Sequence, residues 1–347
     1  MNAKLILQDG TILTGRSFGA ENAVSGELVF TTGMVGYPES ITDPSYAGQI
    51  LVFTYPLIGN YGVPDPKYWE SKSIKATALI VSTYNETPSH FSSKRTLSAW
   101  LQQEGVPGIE IKDTRLLAQK LRDGGAQLAK IIFKKDIPFD DPNTRNLAAE
   151  VSRRDIGTEP VTLGSGPKTV VMLDCGVKEN TVRNFLKRGV TLIRAPWDYD
   201  PYAAGVKFDA LFISNGPGDP KTVTATIATV KKAIQAKTPI FGICLGNQIL
   251  ALAAGGDTYK LKFGHRSQNQ PCILEGTNRC YLTTQNHGFA VGKIPRGFKQ
   301  WFKNANDGTN EGIIHESLPF MSVQFHPEST PGPEDTEWLF DYFLEKI

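Results

Sequence analysis

The chain has 347 residues, of which 40% are hydrophobic and 21% charged, enough to bury sizeable cores and suggestive of two domains. A formal net charge of +2 gives no electrostatic case for nucleic acid or an anionic membrane as a partner. Four cysteines (Cys175, Cys244, Cys272 and Cys280) are too few for a disulfide framework at this length, and none form a C-x-x-C pair that would suggest zinc or redox chemistry.

The start, MNAKLILQDG, already reads as strand, with neither a secretory apolar region nor an Arg-rich, acid-poor targeting pattern. No apolar run is long enough to span a membrane. A reducing, cytoplasmic setting is therefore expected, with no membrane association.

Residues 1–151 are expected to form a smaller, β-rich α+β domain. Its apolar runs are KLILQ, GELVFTT (26–32), QILVFT (49–54) and ATALIV (76–81), with Asp9-Gly10 as a hairpin turn between the first two strands. Two amphipathic helices follow, over 94–103 and from an Asp113 cap to Gly124-Gly125. The polar stretch 152–168 (SRRDIGTEPVTLGSGPK) has neither period and reads as a linker.

From residue 169 the pattern alternates. Strands at 169–173, 191–194, 210–214 and 239–243 are interleaved with helices at 178–187, 222–236 and 245–254. Such alternation implies βαβ units and a doubly wound, mostly parallel sheet covered on both faces. Further strands are expected at 280–283, 312–314 and 321–325, then a last helix carrying Trp338, Leu339, Phe340 and Phe343.

The segment PIFGICLGNQIL places Cys244 between an apolar strand and a helix, flanked by Gly242 and Gly246. G-x-C-x-G is the cysteine counterpart of a nucleophile elbow, where a sharp turn presents the side chain outward and glycines leave room around it. The helix start adds free N–H groups and partial positive charge, both favouring thiolate. Alternatively, Cys244 is a small apolar residue of a core strand; the other three cysteines are expected to be packed in the interior.

Of the five histidines, His326 stands after the apolar run 321–325, with Glu328 two residues on in Phe-His-Pro-Glu. That spacing lets a carboxylate orient an imidazole that serves a nucleophile. His90 and His315 have no such company, and His265 and His287 stand in polar, loop-like contexts. The loop SNGPGDP after ALFIS offers Gly216 and Gly218 as unobstructed N–H donors for an oxyanion, or is an ordinary Gly/Pro turn.

Together, FGICLGNQ, FHPE and SNGPGDP resemble the class I (triad) glutamine amidotransferases, and the resemblance covers the whole second half, 169–347. Earlier segments, TTGMVGYPESITDPSYAGQILVFTYPLIGNYG above all, with QNHGFAV and NANDGTNEGI, resemble the small, glutamine-hydrolysing subunit of carbamoyl-phosphate synthase and the equivalent region of fused pyrimidine-pathway proteins. The resemblance implies the class I glutaminase fold, Cys244 as nucleophile, His326 as base and Glu328 as its orienter. It implies L-glutamine contacts from Ser45, Gly216, Gly218, Leu245, Gln248, Asn286, Gly288 and Phe289, with Ser45 contributed by the first domain.

Asn247 departs from the G-H-Q run of many members, and an effect on rate or coupling at most is expected. Some relatives have lost the cysteine and use free ammonia, whereas this chain keeps it. The chain has no Walker A sequence. The implied partner is a carbamoyl-phosphate synthase large subunit or fused synthetase domain, which would use ATP, Mg and bicarbonate. The chain itself is expected to hold no cofactor or metal. The rival readings are a non-catalytic scaffold subunit, which loss of the Cys or His would mark, and a hydrolase of another γ-glutamyl compound.

Overall fold

The computed structural model describes residues 2–347, and all of their side chains except those of 153–156. The chain divides into two compact units, Met1–Thr144 and Arg145–Ile347.

In the first unit, β1 (Asn2–Leu7) and β2 (Ile12–Ser17) form a hairpin. Its turn is built by Asp9, whose carboxylate accepts from the Thr11 N–H at 2.9 Å, and by Gly10 at φ 87°. The turn is where the sequence placed it. Its second arm, however, is Ile12–Ser17, too polar for its apolar residues to stand out. The remaining elements are β3 (Val24–Thr31), α1 (Tyr37–Thr42), β4 (Gln49–Phe53), β5 (Ala78–Val81), α2 (Leu97–Gln103), β6 (Gly108–Glu110), α3 (Thr114–Gly124) and β7 (Gln127–Ile132).

Thr96 and Asp113 cap α2 and α3 by accepting N–H bonds from Ala99 and Leu116, each satisfying a donor that a helix start leaves orphaned. Among the described residues the strands close into a barrel in the order β1-β2-β6-β5-β4-β3-β7. The pairs β3-β4, β4-β5 and β5-β6 are parallel. All four residues of β5 are buried, as in a strand covered on both faces.

The second unit begins with α4 (Leu147–Ile156), capped by Asn146, and β8 (Val161–Leu163). The stretch 152–168, expected as a linker, therefore holds the end of α4 and then β8, which pairs antiparallel with β10. The side chains of 153–156 lie outside the described residues. The following elements are β9 (Thr169–Asp174), α5 (Glu179–Lys187), β10 (Thr191–Pro196), β11 (Ala210–Ile213), α6 (Thr224–Ala236), β12 (Ile240–Ile243) and α7 (Leu245–Ala253). After them come β13 (Asp257–Leu274), β14 (Cys280–Lys293), β15 (Phe298–Asn304), β16 (Asn310–His315), β17 (Phe320–Val323) and α8 (Trp338–Leu344).

The sheet order is β14-β13-β15-β16-β17-β12-β11-β9-β10-β8. Strands β10, β9, β11, β12 and β17 form the parallel half of this mixed sheet. Successive strand residues enter opposite cores. Val170, Met172 and Phe212 pack with Phe185 of α5 and Leu339, Phe340 and Phe343 of α8. Val171, Leu173, Leu211 and Ile213 pack with Val230 and Ala233 of α6, Ile249 and Leu250 of α7, and Ala148 of α4. Strands buried on both faces read as unbroken apolar runs, which is why they were legible.

The antiparallel half was read as two short strands, 280–283 and 312–314, with Cys272 in a strand-like segment, and most of β13 and β14 and all of β15 were missed. Their inward residues include His265, Arg266, Gln285, Asn286 and His287, all buried, so no apolar alternation marks them. His265 and His287 are not in loops as expected. They are cross-strand neighbours on β13 and β14. Cys175 and Cys272 are buried, but Cys280, expected inside, is exposed at the start of β14.

At the β12–α7 junction the backbone itself requires both glycines. A Cβ on Gly242 would stand 2.6 Å from the Gly246 carbonyl oxygen, and one on Gly246 would stand 2.2 Å from that of Ile213. Gly246→Ala should therefore cost about 1–3 kcal/mol by overpacking, read as a lower urea midpoint with an unchanged slope. A midpoint equal to that of the wild type would show that the junction has room.

Candidate active site

The parallel strands deliver their carboxyl ends to one edge of the sheet, where open α/β folds place their sites. Cys244 sits there at φ 54°, ψ −103°, a left-handed conformation that a residue with a Cβ adopts only under constraint. The constraint comes from both sides. Its N–H continues the sheet by bonding Val323 O at 2.8 Å, while its carbonyl accepts from the Asn247 N–H at 3.0 Å and so opens α7.

The thiol was expected to face outward, yet Cys244 is 2% exposed. It is covered by β14, which crosses the strand ends, and the sulfur lies 3.7 Å from the carbonyl oxygen of Asn286, to which the thiol donates. Its surroundings on that side are polar, not hydrocarbon.

His326 follows β17 after a two-residue bend. An isolated bridge to β14 holds it, with the His326 N–H donating to Thr284 O at 2.9 Å. Its Nδ1–H donates to Glu328 Oε1 at 2.7 Å, and both side chains are buried. Nε2 has no partner in hydrogen-bonding geometry. Burial alone would push this imidazole's pKa down, but the Glu328 carboxylate and then the nearby Cys244 sulfur outweigh it and raise it above the ordinary histidine range. Burial would likewise raise Glu328, but the charges of Lys178 and His326 outweigh it and hold the carboxyl below its usual range.

Lys178 was read from sequence only as the start of a helix. It lies between β9 and α5 with its side chain 2% exposed, and its Nζ is 3.3 Å from Glu328 Oε1. That ammonium also donates to Ser329 O, and Asn180 Nδ2 donates to Glu328 O. A lysine at the start of a helix was the only trace in the sequence, and it cannot name a partner 150 residues away.

The expected glutamine contacts divide. Leu245 and Gln248 belong to α7, and Gln248 Nε2 donates to Phe289 O at 2.8 Å and to Gln324 Oε1 at 3.1 Å. Asn286 touches the Cys244 sulfur, and Gly288 lies between Asn286 and Phe289 on β14. Gly216 is pressed against the elbow, since a Cβ there would stand 2.9 Å from Leu245 Cδ2 and 2.1 Å from Cys175 O. Gly218, at φ 89°, lies instead beside Leu147 of α4. Ser45 belongs to the first unit, buried on the turn Pro44–Tyr46, where its N–H donates to Asp43 Oδ1 at 2.9 Å.

Asn247 is fully buried. Its Nδ2 donates to Gln324 Oε1 at 3.1 Å, and its Oδ1 accepts from Ser322 Oγ at 2.8 Å. It therefore ties α7 to the strand that leads to His326.

Residues 171–346 match the family "Glutamine amidotransferase class-I". The chain belongs to the class I glutamine amidotransferases. Residues 5–131 match a second family, "Carbamoyl-phosphate synthase small chain, CPSase domain".

Over 99% of its length this amidotransferase is 51% identical to the multifunctional protein CAD of Squalus acanthias and 47% identical to the multifunctional protein ura1 of Schizosaccharomyces pombe. It is 45% identical, over the same share, to the human protein named "Carbamoyl-phosphate synthase [ammonia], mitochondrial". The chain spans 16%, 17% and 24% of these three relatives. Among the described residues no helix is long and apolar enough to cross a membrane.

Removing Lys178 leaves a buried carboxylate facing only one cation. Lys178→Met should cost about 3–5 kcal/mol at neutral pH, and adding Glu328→Gln should restore part of it. A folded-state pKa held below the ordinary 4.5 contributes stability above that value and loses it as pH falls through the lowered one. The gap between wild type and Lys178→Met should therefore narrow as pH drops below about 4.5 in denaturation curves. A gap independent of pH would show that Lys178 acts by packing alone.

Proposed function

We propose that this chain is the glutaminase component of a glutamine-dependent carbamoyl-phosphate synthase. In this reading it hydrolyses L-glutamine and passes the ammonia to an ATP-using synthetase, present as a large subunit or as a fused domain. The observation that carries the chemistry is the pairing of a strained Cys244 with His326, whose Nδ1 is locked by Glu328 and whose Nε2 is unspent.

His326 Nε2 takes the thiol proton, and the Cys244 sulfur forms a bond to the glutamine side-chain carbonyl carbon. The N–H groups of Leu245 and of the Gly216–Gly218 loop receive the oxyanion. The imidazolium returns the proton to the departing nitrogen, the C–N bond breaks, and ammonia leaves with a γ-glutamyl thioester on the enzyme. Water then gives a proton to His326 Nε2 and attacks the thioester. Collapse expels the sulfur, which recovers its proton, and glutamate is released. Glu328 holds the ring and balances its charge through both halves, and Lys178 keeps Glu328 ionised.

Gln248, Asn286, Gly288 and Phe289 are the remaining proposed substrate contacts of this unit. In this reading the chain needs no cofactor or metal for hydrolysis, while ATP, Mg and bicarbonate belong to the synthetase. It binds neither nucleic acid nor membrane and works in the cytoplasm. Relatives described as multifunctional proteins and as carbamoyl-phosphate synthase support this assignment of the partner. The retained Cys244 favours glutamine over free ammonia as the nitrogen source.

Cys244→Ala, assayed in complex with the synthetase, should lose glutamine-dependent synthesis by at least about a thousandfold, as expected when a covalent nucleophile is removed. Synthesis from added ammonium should survive. Retained glutamine turnover would overturn the assignment of the nucleophile, and failure with ammonium as well would point to a lost assembly.

A further inference from the structure

Behind the segment that covers Cys244, the antiparallel half of the sheet gathers a second set of side chains. His265 on β13 and His287 on β14 face each other across the ladder, and Glu311 on β16 closes the group. All three are buried, with Glu311 fully so. Each imidazole has one nitrogen already committed to an acceptor. His265 Nε2–H donates to Asp307 Oδ2 at 2.9 Å, and His287 Nδ1–H donates to the Phe289 carbonyl at 2.8 Å. With both rings neutral, these bonds put the protons on the outer nitrogens and turn the lone pairs of His265 Nδ1 and His287 Nε2 inward.

In that form they meet more lone pairs. His265 Nδ1 lies 3.1 Å from Glu311 Oε1 and 2.9 Å from Gln285 Oε1. His287 Nε2 lies 3.1 Å from that same Gln285 oxygen and 3.8 Å from Glu311 Oε2. The Gln285 amide nitrogen faces the other way, towards Cys272 Sγ and Thr283 Oγ1. Asn304 Nδ2 supplies one donor, to Glu311 Oε1 at 3.2 Å and His265 Nδ1 at 3.5 Å. Glu311 Oε2 has no hydrogen-bond partner. A buried convergence of two imidazole nitrogens, an amide oxygen and a carboxylate is balanced by a positive charge at its centre, either a proton held on His265 or a metal ion.

We infer that His265, His287 and Glu311 bind a divalent ion of the zinc class, with Gln285 Oε1 as a fourth oxygen donor. The three ligand atoms lie within 4.8 Å of one another. A tetrahedral ion with bonds of about 2.0–2.2 Å needs ligand separations of about 3.3–3.6 Å. The observed 3.1 Å to Glu311 Oε1 and 3.8 Å to Glu311 Oε2 lie on either side of that range, and side-chain rotations must draw the three ligands together to close the shell. Two nitrogens with two oxygens suit zinc better than magnesium or calcium, which take oxygen alone. Asp307 and the Phe289 carbonyl form the outer shell that fixes the ring tautomers, as acceptors behind metal-bound histidines do.

Sequence gave no hint of this site, because its ligands come from three strands and share no short motif. His287 lies between Asn286, which receives the Cys244 thiol, and Gly288. An ion here would brace that segment from behind without touching the nucleophile.

The test uses the full chain carrying Cys244→Ala and Cys280→Ala, which removes the nucleophile and the exposed thiol as competing zinc ligands. After chelation and dialysis, zinc is titrated calorimetrically and thermal melting is followed. One zinc per chain and a raised Tm are expected. Glu311→Gln should abolish that binding, and Asp307→Asn, at a partly exposed position that leaves the core intact, should weaken it about 10–100-fold. No stoichiometric binding, or binding that both substitutions leave unchanged, would overturn the site. Because the readout is metal content and melting in a chain without its nucleophile, the result is independent of whether the protein hydrolyses glutamine.

Discussion

The second unit depends on keeping charge inside it. Glu328 and Lys178 face each other at 3.3 Å with almost no solvent contact, and His326 is bonded to the same carboxylate oxygen. Removing such groups from water costs several kcal/mol per ion, returned only where opposite charges and hydrogen bonds meet them closely. That requirement dictates much of the surrounding structure. The β9–α5 junction must place Lys178, the bend after β17 must place His326, and Thr284 on β14 must fasten it. In exchange, one imidazole nitrogen is fixed on Glu328 and the other is left without a hydrogen-bond partner.

The elbow is the complementary constraint. Cys244 occupies a backbone conformation that a free chain avoids, and it stays there because β12 is bonded to β17 before it and α7 begins after it. Gly242 and Gly246 are needed because neighbouring carbonyls fill the space a Cβ would take. The polar chain Ser322–Asn247–Gln324–Gln248 then joins α7 to the approach to His326. The start of α7, the residues before His326 and the carbonyl of Phe289 are thereby joined in one hydrogen-bonded chain. With Asn at position 247, all these bonds are made by short amide and hydroxyl groups, whose directions are well defined.

The two halves of the sheet divide their labour by composition. The parallel half is apolar on both faces and contributes to both hydrophobic cores of the unit. The antiparallel half carries a dense polar interior, in which His265, Gln285, His287, Asn304 and Glu311 satisfy one another only in part. Its task is to present β14 across the ends of the parallel strands, which buries the cysteine that the elbow would otherwise expose.

By itself, the sequence marked the parallel half, the Asp113 cap of α3, the hairpin turn at Asp9-Gly10, the turn at Cys244 and the pairing of His326 with Glu328. Each of these rests on local spacing: apolar runs, a capping residue, glycines around a cysteine, or a carboxylate two residues from an imidazole. The long strands β13 and β14 were hidden because their buried faces are polar and break the alternation that marks a strand. Lys178 as the counter-ion of Glu328, the burial of Cys244 under Asn286, and the meeting of His265, His287 and Glu311 were decided by tertiary structure alone. Each joins residues on different strands or loops, and the energy that fixes them comes from burying charges and lone pairs together, a quantity no short window of sequence contains.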